Sequence, residues 1–183
     1  MRIKAIAFTP MLALFSLTVG IGYAGDTVVL KGNHPPEAAT LAPAGDADPT
    51  QRLSMEIRFA TRNQAQLDAL LAEQQNPSSP NFHKWLATGE YNQRFGPRQA
   101  DLDAVSDWLK SEGFTVEAAS GGALKFSGTV AQADHAFATR IERFGNGATY
   151  ANVEDPSIPS RFEGVIAAVV GLDNMTHAVP AAR

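Results

Sequence analysis

Between Arg52 and Phe59 apolar and polar side chains alternate: Leu53, Met55, Ile57 and Phe59 are separated by Ser54, Glu56 and Arg58. A period of two sends successive side chains to opposite faces, so this run predicts a strand with one dry face and one wet face. The period then changes. Over 63–75 the apolar positions Leu67, Leu70 and Leu71 recur at helical spacing behind Asn63, whose side-chain oxygen is suited to cap a helix start. A second helix is expected over 98–113, with Leu102, Val105, Trp108 and Leu109 on one side, acids in its first turns and Gly113 as its stop. Two strand-like runs follow, Phe114–Ala118 and Ala123–Ser127, joined by a turn containing Gly121 and Gly122. Thr129 is the next capping residue, with Val130, Ala133, Phe137 and Ile141 down one side of a third helix, and a further hairpin is expected around Gly145, Asn146 and Gly147.

The order is strand, helix, extra helical turns, helix, hairpin, helix and a final strand pair. Without the extra turns this is β-α-β-β-α-β, which predicts an α+β domain of ferredoxin-like type: an antiparallel sheet with helices on one face. Phe162, Val165, Ile166, Val169 and Val170 fit helical spacing, yet so many β-branched residues serve a strand equally well, and the pattern leaves both open. Upstream, residues 25–50 are rich in Pro, Ala, Gly and Asp without a sustained period and read as an extended, flexible leader.

The first residues change the picture of where the chain works. Arg2 and Lys4 precede an apolar run from Ala5 to Ile21 and the small residues Gly22 and Ala24, the pattern of a secretory signal peptide over 1–24, with cleavage expected after Ala24. The remainder is expected outside the cytoplasm, periplasmic or extracellular, with no membrane segment after cleavage. The sequence has no cysteine, so packing alone must hold the fold there. With 183 residues there is room for one domain with a core. A net charge of -4, with 15 scattered basic residues, argues against nucleic acid as a partner.

Chemistry is sparse. His34, His83, His135 and His177 lack ligand spacing, so no metal is expected and no cofactor is called for. The glycines around Lys125 do not follow the phosphate-loop order, and Ser127 lacks the G-x-S-x-G setting of an exposed nucleophile. The carboxylate pairs Asp101 with Asp103 and Glu154 with Asp155 are better explained by a helix start and by solvation. No catalytic residue is expected, and the residues point to a binding or folding module.

One stretch is too specific for a connector. Residues 76–97, NPSSPNFHKWLATGEYNQRFGP, carry Pro77, Ser79, Pro80, Phe82 and His83 and close on Phe95, Gly96 and Pro97. Prolines stiffen such a loop, and Phe82, Trp85, Leu86, Tyr91 and Phe95 are expected to tuck the extra turns onto the core, with His83 bonded to nearby backbone. The run resembles the signature of the N-terminal prodomain of the sedolisin and kumamolisin serine-carboxyl peptidases. The likeness extends through RNQAQLDALL, through VSDWLKSEGFTV with Trp108 and Gly113, through FSGTVAQADHAFATRI with Phe137, and through YANVEDPSIPSRFEGVIAAVVGLDN, in the family's order over about 53–174.

The resemblance implies a prodomain core over 51–152, a C-terminal segment over 153–174 that leads toward a peptidase domain, and a tail over 175–183. It implies a ferredoxin-like fold and a role as folding chaperone and inhibitor of a sedolisin-type peptidase, released in acid. The peptidase's Glu, Asp and Ser and its calcium site have no counterparts here, so the chain is expected not to be an enzyme. The expected partner is a peptidase domain, in trans or from a longer precursor, and the free chain is expected to be a monomer; an exported gene product complete in itself is favoured over a fragment. The segment Val153–Arg161 is expected to run extended toward the peptidase cleft, with Glu154, Asp155, Pro156, Ile158, Pro159 and Glu163 as contacts. Glu154, Asp155 and Glu163 would carry an acid switch. The alternative is a ferredoxin-like binding module of the cell envelope that has no peptidase partner.

Overall fold

The alternation at Arg52–Phe59 becomes a strand whose Leu53, Met55 and Ile57 are buried while Arg52, Ser54 and Arg58 face solvent. It is the third strand of a computed structural model that describes residues 26–120 and 122–175. In chain order the elements are β1 (Thr27–Val29), a 3-10 turn (Pro36–Thr40), β2 (Pro43–Asp46), β3 (Arg52–Phe59), α1 (Gln64–Gln75), α2 (Thr88–Phe95), α3 (Gln99–Ser111), β4 (Thr115–Ser120), β5 (Ala123–Thr129), α4 (Val130–Phe137), β6 (Ile141–Phe144), β7 (Thr149–Asn152), β8 (Ser157–Pro159), a second 3-10 turn (Ser160–Phe162) and β9 (Ile166–Val170). The proposed signal peptide, Gly121 and His177 lie outside the described residues.

The strands pair antiparallel throughout, in a four-stranded sheet of order β4-β5-β3-β9, a three-stranded sheet β2-β6-β7 and the pair β1-β8. This is an α+β fold. In the four-stranded sheet Met55 faces Phe126 and Ile57 faces Leu124, and their buried side chains meet Val105, Trp108 and Leu109 of α3 and Val130, Ala133 and Phe137 of α4 in one core. Aromatic rings lock that core: Trp108 stands edge-on to Phe137 with centroids 5.7 Å apart, and Phe114 edge-on to Phe126 at 5.1 Å. Both helices cover one face; Arg52, Ser54, Glu56, Arg58, Lys125 and Ser127 lie on the other.

One open choice is settled and three expectations change. The segment 166–170 is the strand β9, which supplies the fourth strand of the sheet, because its β-branched residues pair with β3 (Val169 opposite Ile57) while only Ile166 and Val169 enter the core. The hairpin β6-β7 instead joins β2 in the second sheet. Ile141 begins β6 rather than ending a helix, because α4 stops at Phe137 and Ala138 turns left-handed at φ 45°. And the leader is no free extension: β1 pairs with β8, and β2 with β6, so the Pro-rich stretch is folded onto the domain by strand pairing that composition does not reveal.

Local signals act largely as read. Thr129 caps α4 in a full capping box with Gln132: the Thr129 hydroxyl accepts from Gln132 N, and Gln132 Oε1 accepts from Thr129 N at 2.8 Å. Gly113 ends α3 at φ 85°, and its carbonyl accepts from Gln132 Nε2 at 2.8 Å. Asn63 does not cap α1 by its side chain; it takes φ 52° itself, and its Nδ2 donates to the Arg94 carbonyl at 3.1 Å, tying α1 to α2.

Candidate functional site

The segment 153–163 runs between β7 and β9, and the fold uses most of it internally. Ile158 is fully buried opposite Val28, Pro156 is buried with its carbonyl accepting from Leu30 N at 2.8 Å, and Pro159 is half-buried opposite Thr27. The extended conformation expected for 153–161 is therefore satisfied by β1 of the same chain. The side chains of Ile158 and Pro156, expected as contacts, are turned into the chain's own interior. Glu154 and Glu163 are exposed.

Asp155 has a different position from either glutamate. Its Oδ2 accepts from Gly32 N at 2.9 Å, and its Oδ1 accepts from Asn33 N at 2.7 Å and lies 2.7 Å from His34 Nδ1. Burial pushes its pKa up, but the hydrogen bonds from His34, Gly32 and Asn33 outweigh that and hold the carboxyl below the usual carboxylate range. Beside it Asn33 hydrogen-bonds the backbone of Val169 in both directions, and buried Asn152 donates from Nδ2 to the Asn33 carbonyl at 2.9 Å. Asn33 and Asn152 went unmarked in the sequence and His34 was read only as lacking ligand spacing, because contacts to Val169 and Asp155, more than a hundred residues away, leave no local pattern.

The connector is a separate feature. Its backbone turns at Pro77 and Pro80, both exposed, and Ser79 Oγ accepts from Asn81 N at 3.1 Å. His83 sits at φ 57° with its backbone N–H donated to the Gln74 carbonyl at 3.0 Å, and its ring stacks on Phe82 with centroids 3.7 Å apart. Gln74, 2 % exposed, also donates from its side chain to the Lys84 carbonyl, so a buried amide fixes the loop. Phe95 and Gly96 are buried and Pro97 half-buried, but Trp85 is 66 % exposed and Tyr91 37 %. The expectation that these two rings tuck into the core is overturned, because α1 and α2 bury little besides Leu67, Gln74 and Phe95.

The sheet face away from the helices gathers several accessible charges. Arg52, Ser54 and Arg58 on β3, Glu117 on β4, Lys125 on β5 and Val170 on β9 are exposed on it. Arg52 Nη2 donates to Ser127 Oγ at 3.0 Å, and Arg58 Nε lies 2.5 Å from Glu56 Oε1. That surface is fixed by a ladder on both sides of β3, which orders it for docking. Among the described residues no group of three or more His, Cys, Asp or Glu is placed to hold a metal ion, and no helix is long and apolar enough to cross a membrane.

Residues 40–175 match the family model described as Pro-kumamolisin, activation domain. Xanthomonalisin of Xanthomonas sp. is 35% identical over 128 residues, covering 68% of this chain and 16% of that protein. Tripeptidyl-peptidase sed4 of Aspergillus fumigatus is 33% identical over 104 residues, covering 57% of this chain and 17% of the relative. Sedolisin of Pseudomonas sp. is 28% identical over 148 residues, covering 79% of this chain and 25% of the relative. The chain thus spans a quarter or less of the length of these relatives.

Proposed function

Because the chain belongs to the family of Pro-kumamolisin activation domains, we propose that it is a prodomain that docks on a sedolisin-type serine-carboxyl peptidase, assists its folding and holds it inactive until acid releases it. The observation that carries this reading is the helix-free face of the β4-β5-β3-β9 sheet. It offers a preordered surface of alternating charge, with Arg52, Arg58 and Lys125 set among Glu56 and Glu117, and Val170 47 % exposed at its margin. Such a surface loses little conformational entropy on binding, and paired opposite charges favour one orientation of a partner. The names of the relatives support a peptidase as that partner, and the small share of each that the chain covers leaves room for a peptidase domain beyond the matched part.

On this reading the chain binds and does not cleave, needs no metal or cofactor, and works where an exported peptidase works. Glu154 and Glu163, exposed on either side of β8, are the proposed contacts of the 153–163 segment. Asp155 is engaged within the chain and is not among them.

Ser54→Trp tests the docking face. Ser54 is exposed at the centre of the face, so a large ring there blocks a flat partner without entering the core. Affinity for a mature sedolisin-type peptidase, measured by surface-immobilised binding at neutral pH, is expected to fall tenfold or more while the circular dichroism of the variant stays that of the parent. Unchanged affinity in a folded Ser54→Trp chain would place docking elsewhere.

A further inference from the structure

We propose that residues 26–34 form an acid-released strap, clasped by Asp155, that covers the outer edge of β9. The strap runs antiparallel to β8, with Thr27, Val28 and Val29 opposite Pro159, Ile158 and Ser157, and then turns at Gly32 and Asn33 toward β9. At that turn Val169 N donates to Asn33 Oδ1 at 2.7 Å and Asn33 Nδ2 donates to Val169 O at 3.0 Å. The side-chain amide therefore stands in for one residue of a neighbouring strand. β9 pairs with β3 on its inner side, so Asn33 occupies backbone groups that an edge strand otherwise offers to any extended chain.

Asn33 is placed there by Asp155 together with Asn152, whose Nδ2 donates to the Asn33 carbonyl. Asp155 accepts the Gly32 and Asn33 N–H groups and meets the His34 ring, three contacts with adjacent strap residues. A protonated carboxyl loses the charge that strengthens all three and leaves a protonated His34 without its counter-charge. The groups are open to solvent protons: the His34 side chain is 39 % exposed and that of Asp155 19 %. The other charged residues around the clasp are Lys31 and Glu37 on the strap segment, Glu154 beside Asp155, and Asp173 after β9, which lines with Glu37 and His34 the same hollow. Neutralising Glu37 and Asp173 in acid removes further negative charge from around His34, so they act in the same direction as Asp155.

Because the folded carboxyl lies below its ordinary value, the clasp holds through the usual carboxylate range and fails as pH falls through the depressed value. The strap thus opens in acid, and it uncovers the Val169 backbone for strand addition. This device does not depend on the prodomain reading and is tested without a peptidase.

The test is amide hydrogen exchange by NMR on the full chain. Asp155→Asn mimics the neutral acid; at pH near 6 it is expected to speed exchange of the Val169 amide tenfold or more, with Met55 and Ile57 of β3 within twofold of the parent. In the parent, the Gly32 and Asn33 amide resonances are expected to shift in one transition below the ordinary aspartate range, and the exchange of Val169 relative to Ile57 to rise through it. Val169 protection within twofold of the parent in Asp155→Asn overturns the strap, as does a parent in which Val169 loses protection only together with Ile57. Should Asp155→Asn not fold, the parent pH series decides alone.

Discussion

Gly128 sits opposite Leu53 near the end of β5, and the ring of Phe114 packs where its side chain would be. A Cβ built there would lie 2.4 Å from Phe114 Cδ1, and that ring is held edge-on against Phe126. Gly128→Ala is therefore expected to destabilise by about 1–3 kcal/mol, the usual cost of overpacking a filled core, in urea unfolding. Asp134 makes a prediction of opposite sign. Burial pushes its pKa up, only partly offset by the Ile141 N–H that its Oδ1 accepts at 3.0 Å. An acid whose folded pKa is raised binds its proton more tightly when folded, so its ionisation lowers stability as pH rises through the carboxylate range. Asp134→Asn keeps an acceptor for Ile141 and removes the charge. It is expected to raise the melting temperature at neutral pH and to leave it unchanged near pH 3, where the parent residue is already neutral.

At the scale of elements, the packing of α3 and α4 on the sheet is where most of the stability resides. Phe137, fully buried and in ring contact with Trp108, Phe114 and Phe126, is expected to cost about 3–5 kcal/mol when cut to Ala. Trp85→Ala in the α1-α2 connector is expected to change stability by no more than about 0.5 kcal/mol, since that ring is 66 % exposed. These are also the elements by which the legibility of the sequence is judged. Where a period persists, as in β3, α1 and α3, or a cap is chemical, as at Thr129 and Gly113, the element lies where the pattern puts it. Where burial depends on a distant partner, the pattern is silent: β9 reads as helix or strand until β3 lies beside it, and β1 and β2 look like linker because their partners β8 and β6 are over ninety residues away. The same cause hid the Asp155 clasp. The burial of Pro156 and Ile158 was equally hidden, because an extended, proline-bounded run looks alike whether it waits for another protein or is already paired with its own chain.

For the whole molecule, α3 and α4 cover one face of the β4-β5-β3-β9 sheet, and among the described residues the other face carries exposed Arg52, Ser54, Arg58, Glu117 and Lys125. Family membership and that face make a peptidase domain the proposed occupant. A chain with a net charge of -4 gains protons as acid is approached, and the carboxylates at a docked interface lose their pairings together. Glu154→Gln combined with Glu163→Gln is expected to weaken binding at neutral pH and flatten its decline in acid, measured as the slope of affinity against pH. The most direct test of the account is inhibition of a mature sedolisin-type peptidase by the full chain, titrated at a series of pH values from neutral to about 3. The account predicts tight inhibition at neutral pH that fades as pH falls through about 4; absence of inhibition at every pH would contradict it and favour a binding module that has no peptidase partner.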